Sequence, residues 1–406
     1  MTVLINDDLL IAPELYDNPY PTYARMLREA PVYWNETTQC WYLFSYEHVA
    51  LALRDPRFSA NRLQPVYNRL PPPVQEQSRP LFESLGRWAL LLDPPDHTRL
   101  RKVLSAAFAP RVTATMDIKI QSVLDELVAA LPIDTPFDLI RDLANPLPIV
   151  VIAELLGADP GDRAALKAWS TDIARFFGAP ALNKSVMDQA QHSILALQEY
   201  FRAILRQRRA APKDDLMTAL LQAEADGVVL DDEELLASCV MLLFGGHETT
   251  TNLIGNGVLA LLNHPDQRAI LTSNAGSIAY AVEEILRFDS PVQRLTRLVS
   301  AELVMGGQSI RAGQRVMLMI GAANHDPAHF AQPDRFTILR PNNRHLSFGF
   351  GPHFCLGSSL ARQEGELTLN RLFYGPRRLQ LAGSPQWQEN LAFRSLAALP
   401  VLLSAS

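Results

Sequence analysis

Phe348-Gly349-Phe350-Gly351-Pro352-His353-Phe354-Cys355-Leu356-Gly357 sets three glycines around a single cysteine. Glycines at 349, 351 and 357 let the backbone turn tightly and approach something flat and bulky. The run that follows, Ser358-Ser359-Leu360-Ala361-Arg362-Gln363-Glu364, has helical character, so Cys355 stands just before a helix N-terminus. Free N–H groups and the positive end of the helix dipole favour a thiolate there.

Such a cysteine has three readings. A thiolate is a strong axial donor to haem iron and pushes electron density toward O–O cleavage. It is a nucleophile, as in a cysteine hydrolase, if a histidine base and an oxyanion site accompany it. His353 is two residues away, but no separate base–orienter pair stands out. Otherwise it is a small buried residue in a glycine-rich loop. Composition sets outer bounds. The chain has 406 residues, 48% of them apolar, which is ample for a large core. A net charge of −6 with 20% charged residues gives no global reason to expect a nucleic-acid partner. Cys40, Cys239 and Cys355 are far apart and make no CxxC spacing, so neither a disulfide framework nor a structural zinc site is expected. A reducing, cytoplasmic compartment fits. No apolar run approaches the roughly 20 residues that span a bilayer, and residues 1–13 show no signal pattern, so no membrane association is expected.

Along the chain, Val32-Tyr33-Trp34 and Trp41-Tyr42-Leu43-Phe44 read as a hairpin. Residues 60–92 are proline-rich and weakly periodic and read as a long loop, although Leu81, Phe82, Leu85, Trp88 and Leu90 make it too apolar for disorder. Helical patterns dominate to about Pro291, and turn signals separate β-like runs between 303 and 320. The expected fold is mainly α with a smaller β-rich part (α+β), as one unit over residues 1–406. Asp232 to His264 reads as one helix of about 30 residues, roughly 45 Å long, apolar nearly all round and hence buried. Its middle holds Gly245-Gly246-His247-Glu248-Thr249-Thr250. Two glycines and an acid are costly in a buried helix unless something needs them. The Thr249 hydroxyl can reach the Gly245 carbonyl and distort the helix, leaving room for a ligand and a water. The alternative is a packing pair of glycines with a surface-directed glutamate.

The loop around Cys355 resembles the haem-binding loop of the cytochrome P-450 family of haem-thiolate monooxygenases. That loop runs Phe-Gly-x-Gly-x-His-x-Cys-x-Gly, and every fixed position is matched; Ser358 departs from the small residue usual after the last glycine. The short N-terminus is similar to that of soluble bacterial members. The resemblance implies the P-450 fold, with haem b (iron protoporphyrin IX) between the long central helix and the cysteine loop, and Cys355 as the iron ligand. Phe348, Gly349, Gly357 and Gly246 are then haem contacts, and Glu248 and Thr249 match the acid–alcohol pair that delivers protons to bound oxygen. In Asp93-Pro94-Pro95-Asp96-His97-Thr98-Arg99-Leu100-Arg101, Asp96 or Asp93 caps a helix whose His97 and Arg101 share one face. They match the family's propionate pair, and His353 is a further propionate contact. Arg297 is the matching arginine by family spacing, with Arg294 its competitor by register. Glu284 and Arg287 match the structural Glu-x-x-Arg element, with Arg335 as its third member.

The implied activity is hydroxylation or epoxidation of a small apolar substrate in secondary metabolism, using O2 and electrons from a separate ferredoxin and ferredoxin reductase. The ferredoxin would meet Arg99, Lys102 and Arg111. A monomer is expected. Substrate contacts assigned by position are Leu85, Leu92, Met241, Phe244, Gly245, Leu295, Thr296 and Phe393, with a lid at 176–182. The rivals are a peroxide-driven peroxygenase, whose members typically lack the acid–alcohol pair, and a non-catalytic haem-binding sensor.

Overall fold

The aromatic and β-branched run near the N-terminus forms the expected hairpin, with β1 (Val32–Asn35) antiparallel to β2 (Cys40–Leu43). This is seen in a computed structural model that describes residues 6–108, 116–179, 183–223, 229–375 and 377–405. Three more strands extend the hairpin: β3 (Phe58–Ser59), β4 (Leu295–Val299) and β5 (Arg315–Leu318), in the order β1-β2-β5-β4-β3. β2 and β5 run parallel, and β4 pairs antiparallel with β5, Leu295 opposite Leu318 and Thr296 opposite Met317. Alternation along β4 puts Leu295 and Arg297 on one face and Thr296 on the other.

Residues 60–92 are not a loop. They contain a short helix at Gln64–Tyr67 and α1 (Pro72–Leu85). Pro72 and Pro73 sit in the first turn of α1, where a missing N–H costs nothing, and Leu81, Phe82 and Leu85 form its buried face. Most of the prolines that read as loop punctuation stand at helix starts, while Pro80 lies inside α1. α2 (Asp96–Ala107), α3 (Met116–Ala130), α4 (Pro146–Leu155), α5 (Arg163–Gly178) and α6 (Lys184–Ala210) follow.

The central helix is α7, Asp232–Asn263. It starts on a capping box, in which Asp231 accepts from the Glu234 N–H and the Glu234 carboxylate reaches back to the Asp231 N–H. Acids fill its first turn, and the chain breaks at His264 before Pro265 starts a new helix. α4, α5, α6, α8 (Ile278–Phe288) and α9 (Ser358–Phe373) pack around it. Such surroundings explain why its sequence is apolar on every side. The largest hydrophobic cluster joins these helices, while separate clusters line the two faces of the five-stranded sheet.

Candidate active site

α7 and the cysteine loop enclose a cavity. The loop needs its glycines: Gly349 has φ +72° and Gly351 φ +76°, where a side chain would be strained. Cys355 follows, its N–H donating to the Phe348 carbonyl at 2.8 Å, and α9 begins three residues later. Phe348, Gly349, His353, Cys355 and Gly357 all line the cavity. A Cβ at Gly357, or across the cavity at Gly245, would meet no protein atom within 4 Å, so both glycines keep the space open. Gly246 also lines it but serves packing, since a Cβ there would come within 3.2 Å of Ile152 on α4.

Burial pushes the Cys355 thiol up, while the Gly357 N–H and the charges of Arg101 and Arg362 pull it back down. The helix N-terminus alone therefore does not make the thiolate, and a bound metal ion would complete the deprotonation. Cys40 and Cys239 are buried away from the cavity, with thiols pushed up by burial, Cys40 to about 11.

On α7, Thr249 Oγ1 donates to the Gly245 carbonyl at 2.8 Å, the bond its spacing predicts. The expected break in the helix is absent, because the helix runs continuously through this turn. Room comes instead from the missing side chain at Gly245. Thr249 lines the cavity but Glu248 does not. Its Oε1 accepts from the Thr171 hydroxyl of α5 at 3.3 Å. Burial raises the Glu248 pKa, with Thr171 and Lys167 opposing.

A cluster of cations borders the cavity. His97 and Arg101, on one face of α2, both line it, and the His97 and His353 rings stand 4.0 Å apart. His97 Nδ1 is buried without a partner. Arg297 is 3% exposed, its pKa pushed down to about 10 by burial with Asp93 opposing, and its charge reaches both histidines. Arg294 acts on Tyr23, Cys40 and Tyr42 across the sheet, so the register separates the two arginines. Arg62 joins the cluster and was missed in the sequence, where it sits alone in a stretch read as loop. Its Nη1 is buried without a partner, and burial and then Arg297 push its pKa down to about 9. Asp93 does not cap α2; its carboxylate accepts from the Ser59 hydroxyl and the Ala60 N–H.

These groups fit a haem. Buried cations left without partners are costly. Here three guanidiniums, of Arg62, Arg101 and Arg297, are depressed by burial, and of these only Arg297 is offset by a carboxylate, that of Asp93. The remainder matches a dicarboxylate, and the unpartnered His97 Nδ1 and Arg62 Nη1 wait for acceptors.

The Glu284 cluster differs from its expected form. Arg287 binds both Glu284 oxygens at 2.8 Å, each side chain fully buried. The third member is Arg340, whose Nε donates to Glu284 at 3.0 Å, not Arg335. The Arg335 side chain turns to Gln332, and only its carbonyl enters the network, accepting from Arg287 and Arg340.

Among the positional substrate contacts, Met241, Phe244, Gly245 and Leu295 line the cavity. Leu85 is core on α1, and Leu92 lies past the turn whose Ala89 and Leu90 reach the cavity instead. Thr296 faces across the sheet to Met317, as strand alternation requires. Phe393 packs behind the wall, its ring 6.5 Å from that of Phe244. Phe177, from the expected lid, stacks on Phe244 at 5.2 Å; residues 180–182 lie outside the described residues. Of the expected docking cations, Arg99 is engaged by Glu234, and Arg111 lies outside the described residues. Glu364 of α9 lines the cavity and was not singled out in the sequence.

A long helix over a cysteine loop, rimmed by cations lacking anions, defines a haem-thiolate protein. The family described as Cytochrome P450 matches residues 166–275 and 278–374. The chain is 39% identical over 401 residues to the vitamin D(3) 25-hydroxylase of Pseudonocardia autotrophica, covering 97% of this chain and 96% of that one. It is 38% identical over 394 residues to the cytochrome P450 monooxygenase PikC of Streptomyces venezuelae, covering 95% and 91%. P450BioI, solved in complex with a fatty-acyl acyl carrier protein, superposes with a TM-score of 0.89 at 35% identity, covering 96% and 99%. The chain belongs to the cytochrome P450 family, a family of oxidoreductases of the monooxygenase type whose haem is ligated by a cysteine. Among the described residues no helix is long and apolar enough to cross a membrane.

Proposed function

We propose that this chain is a monooxygenase that hydroxylates or epoxidises a small apolar substrate, with electrons from a ferredoxin and its reductase. It acts in the cytoplasm as a monomeric single domain over residues 1–406, in secondary metabolism. The observation that carries the reading is the makeup of the cavity wall. Met241, Phe244, Leu295 and Leu90 present apolar surface to the cavity that Gly245, Thr249 and Cys355 also line. A relative named for polyketide biosynthesis, PksS of Bacillus subtilis, supports the metabolic setting.

The haem, when bound, supplies oxygen activation, with the protein tuning and orienting it. Cys355 would hold its iron through the thiolate. His97, Arg101, Arg297, His353 and Arg62 would hold its propionates, while Phe348, Gly349, Gly357 and Gly246 would border its ring. Thr249, already hydrogen-bonded to Gly245, holds a water at the turn. Glu248 leaves Thr171 and carries a proton from the α5 side to that water. Glu284, Arg287 and Arg340 hold the fold on which the cysteine loop rests.

The test is the absorption spectrum of the reduced, carbon monoxide-bound protein. A strongly red-shifted Soret band is expected. A band at the position typical of histidine ligation in the native protein overturns the reading. Thr249→Ala is expected to bind substrate but to release reducing equivalents as peroxide. Full turnover on hydrogen peroxide alone would replace the monooxygenase with a peroxygenase.

A further inference from the structure

Pro291, Val292 and Leu295 form an apolar part of the cavity wall, and residues 389–394 brace it from behind. Val292 bridges antiparallel to Phe393. The Gln293 N–H donates to the Ala392 carbonyl at 2.8 Å, and the Arg394 N–H donates to the Pro291 carbonyl at 2.9 Å. Asn390 shapes the bracing loop, its Oδ1 accepting from the Ala392 and Phe393 N–H groups at 2.9 and 3.0 Å. The same asparagine abuts the end of α5, where a Cβ at Gly178 would collide with it. The wall therefore stands where this loop stands.

The loop is in turn mounted on one side chain. Arg394 is 7% exposed. Its Nη1 and Nη2 donate to the carbonyls of Tyr16 and Asp17 at 2.6 and 2.8 Å, and its Nε donates to Asp289 Oδ1 at 3.1 Å. Those carbonyls end a short helix, Glu14–Asp17, where the helix itself offers no donor. The guanidinium also lies over the Trp387 ring, 3.3 Å from its centre. The Tyr20 hydroxyl donates to Asp289 Oδ1 at 2.5 Å and accepts from Gln293 Nε2 at 3.4 Å. From the inner side, Asn256 of α7 donates to the carbonyls of Arg394 and Asp289 at 3.0 and 3.2 Å. A planar fork of donors can reach two carbonyls and a carboxylate at once, which an ammonium on a single stem cannot. The contacts are of two kinds. The pair with Asp289 balances a buried charge and serves the fold. The bonds to Tyr16 and Asp17 add no charge balance; they fix the residue next to Phe393 against residues 16–20, none of which lines the cavity.

We propose that Arg394 is a positioning residue for the substrate: through it the N-terminal segment, residues 16–20, sets where the Pro291–Val292 wall stands. The segment thereby selects the shape of substrate that the cavity takes, without touching it. Pro291, Val292 and Leu295 offer apolar contact only, so the effect falls on bulk and not on polarity. It is felt by a ligand large enough to reach the wall. A ligand confined to the iron is indifferent to it.

The inference rests on the proposed monooxygenase reading, and separate signals from the haem-loaded, full-length enzyme test the two. The carbon monoxide Soret band tests the reading. Spectral titration with two iron-binding azoles tests the wall: imidazole, which needs the iron alone, and clotrimazole, a bulky triaryl imidazole. Arg394→Gln should keep the Soret band and the imidazole affinity of the wild type. It should weaken clotrimazole about tenfold, the order of one apolar group lost from a pocket. Arg394→Lys keeps the charge against Asp289 but loses the fork. It should weaken clotrimazole too, and it carries the test if the Gln variant does not fold. Hydrogen exchange of the same samples should quicken at 291–294 and 389–395 and stay unchanged at 348–357. Clotrimazole affinity at the wild-type level overturns the inference. So does an equal fall for both azoles, which a tie serving stability alone would give, and so does unchanged exchange at 389–395. A wild-type Soret band of the histidine-ligated kind overturns the monooxygenase reading alone, because both azoles still report the wall from any haem iron.

Discussion

Two groups of arginines, one around Glu284 and one beside the cavity, are finished differently. In the Glu284 cluster the protein pairs every charged group. Arg287 meets both Glu284 oxygens and the carbonyls of Asn324, Pro333 and Arg335, and Arg340, Asn343 and the Thr337 N–H fill the remaining acceptor positions on Glu284. In the cluster of Arg62, Arg101 and Arg297 the one carboxylate that offsets burial is Asp93, acting on Arg297, and it is committed to Ser59 and Ala60. Burial depresses all three guanidiniums. A buried charge that the chain satisfies itself serves the fold; one that it leaves open serves a ligand.

Breaking the closed cluster is expected to have the largest effect. Glu284→Gln removes one charge and strands two buried guanidiniums, which should cost about 3–5 kcal/mol. Urea unfolding of haem-free and haem-loaded protein should show the same loss in both. A loss below about 1 kcal/mol would mean that the cluster is not closed in the sense described. Arg297→Leu should do the reverse. Haem-free protein keeps or gains stability, because an under-paired buried cation is gone. Haem retention falls by about 1.5–3 kcal/mol, the usual range for a hydrogen bond to a charged group, or roughly ten- to a hundredfold in transfer to a haem acceptor protein. If the haem-free form loses as much as Glu284→Gln does, the contrast between the two clusters fails.

Short-range patterns were legible in the sequence, and partners brought by distant chain were not. The long helix, the hairpin, the His97–Arg101 face and the Thr249–Gly245 bond all follow from spacings of four residues or from alternation. Arg340 replaced Arg335 because the cluster is closed through carbonyls of an irregular segment, where no period tells which arginine turns inward. Arg62 was hidden by the prolines downstream of it, and its role depends on Arg297, which is 235 positions away in the chain. Glu248 was placed near the oxygen site by its neighbour Thr249, yet successive positions on a helix do not face the same way, and its carboxyl points to α5.

A pH profile sharpens the comparison from the closed side. His325 is buried, hydrogen-bonded through Nδ1 to the Gly321 carbonyl at 3.0 Å, and burial followed by the charge of Arg287 pushes its pKa down to about 3. Unfolded histidine titrates near 6.5. Between these values the unfolded chain binds a proton that the fold refuses. The stability is therefore intact above about pH 6.5 and is lost as pH falls toward 3, at up to about 1.4 kcal/mol per unit. His325→Gln should flatten that part of the slope, equally with and without haem, since the residue belongs to the closed cluster. A slope change confined to the haem-loaded form would assign His325 to the open one.

The smallest effect is expected at Arg62. It is less enclosed than Arg297, with its guanidinium 6.0 Å from the Phe177 ring and only Nη1 buried without a partner. Arg62→Gln should weaken haem retention by about 1 kcal/mol, near the mean for a single hydrogen bond, or roughly fivefold. It should also relieve Arg297, because the two cations repel each other when no anion lies between them. The double variant with Arg297→Leu then decides whether they serve one anion. Residues that share a partner are not additive, whereas independent sites add within about 0.5 kcal/mol. A combined loss of haem retention clearly different from the sum places both on the same dicarboxylate. Strict additivity would give Arg62 an anion of its own, separate from the one that Arg297 holds.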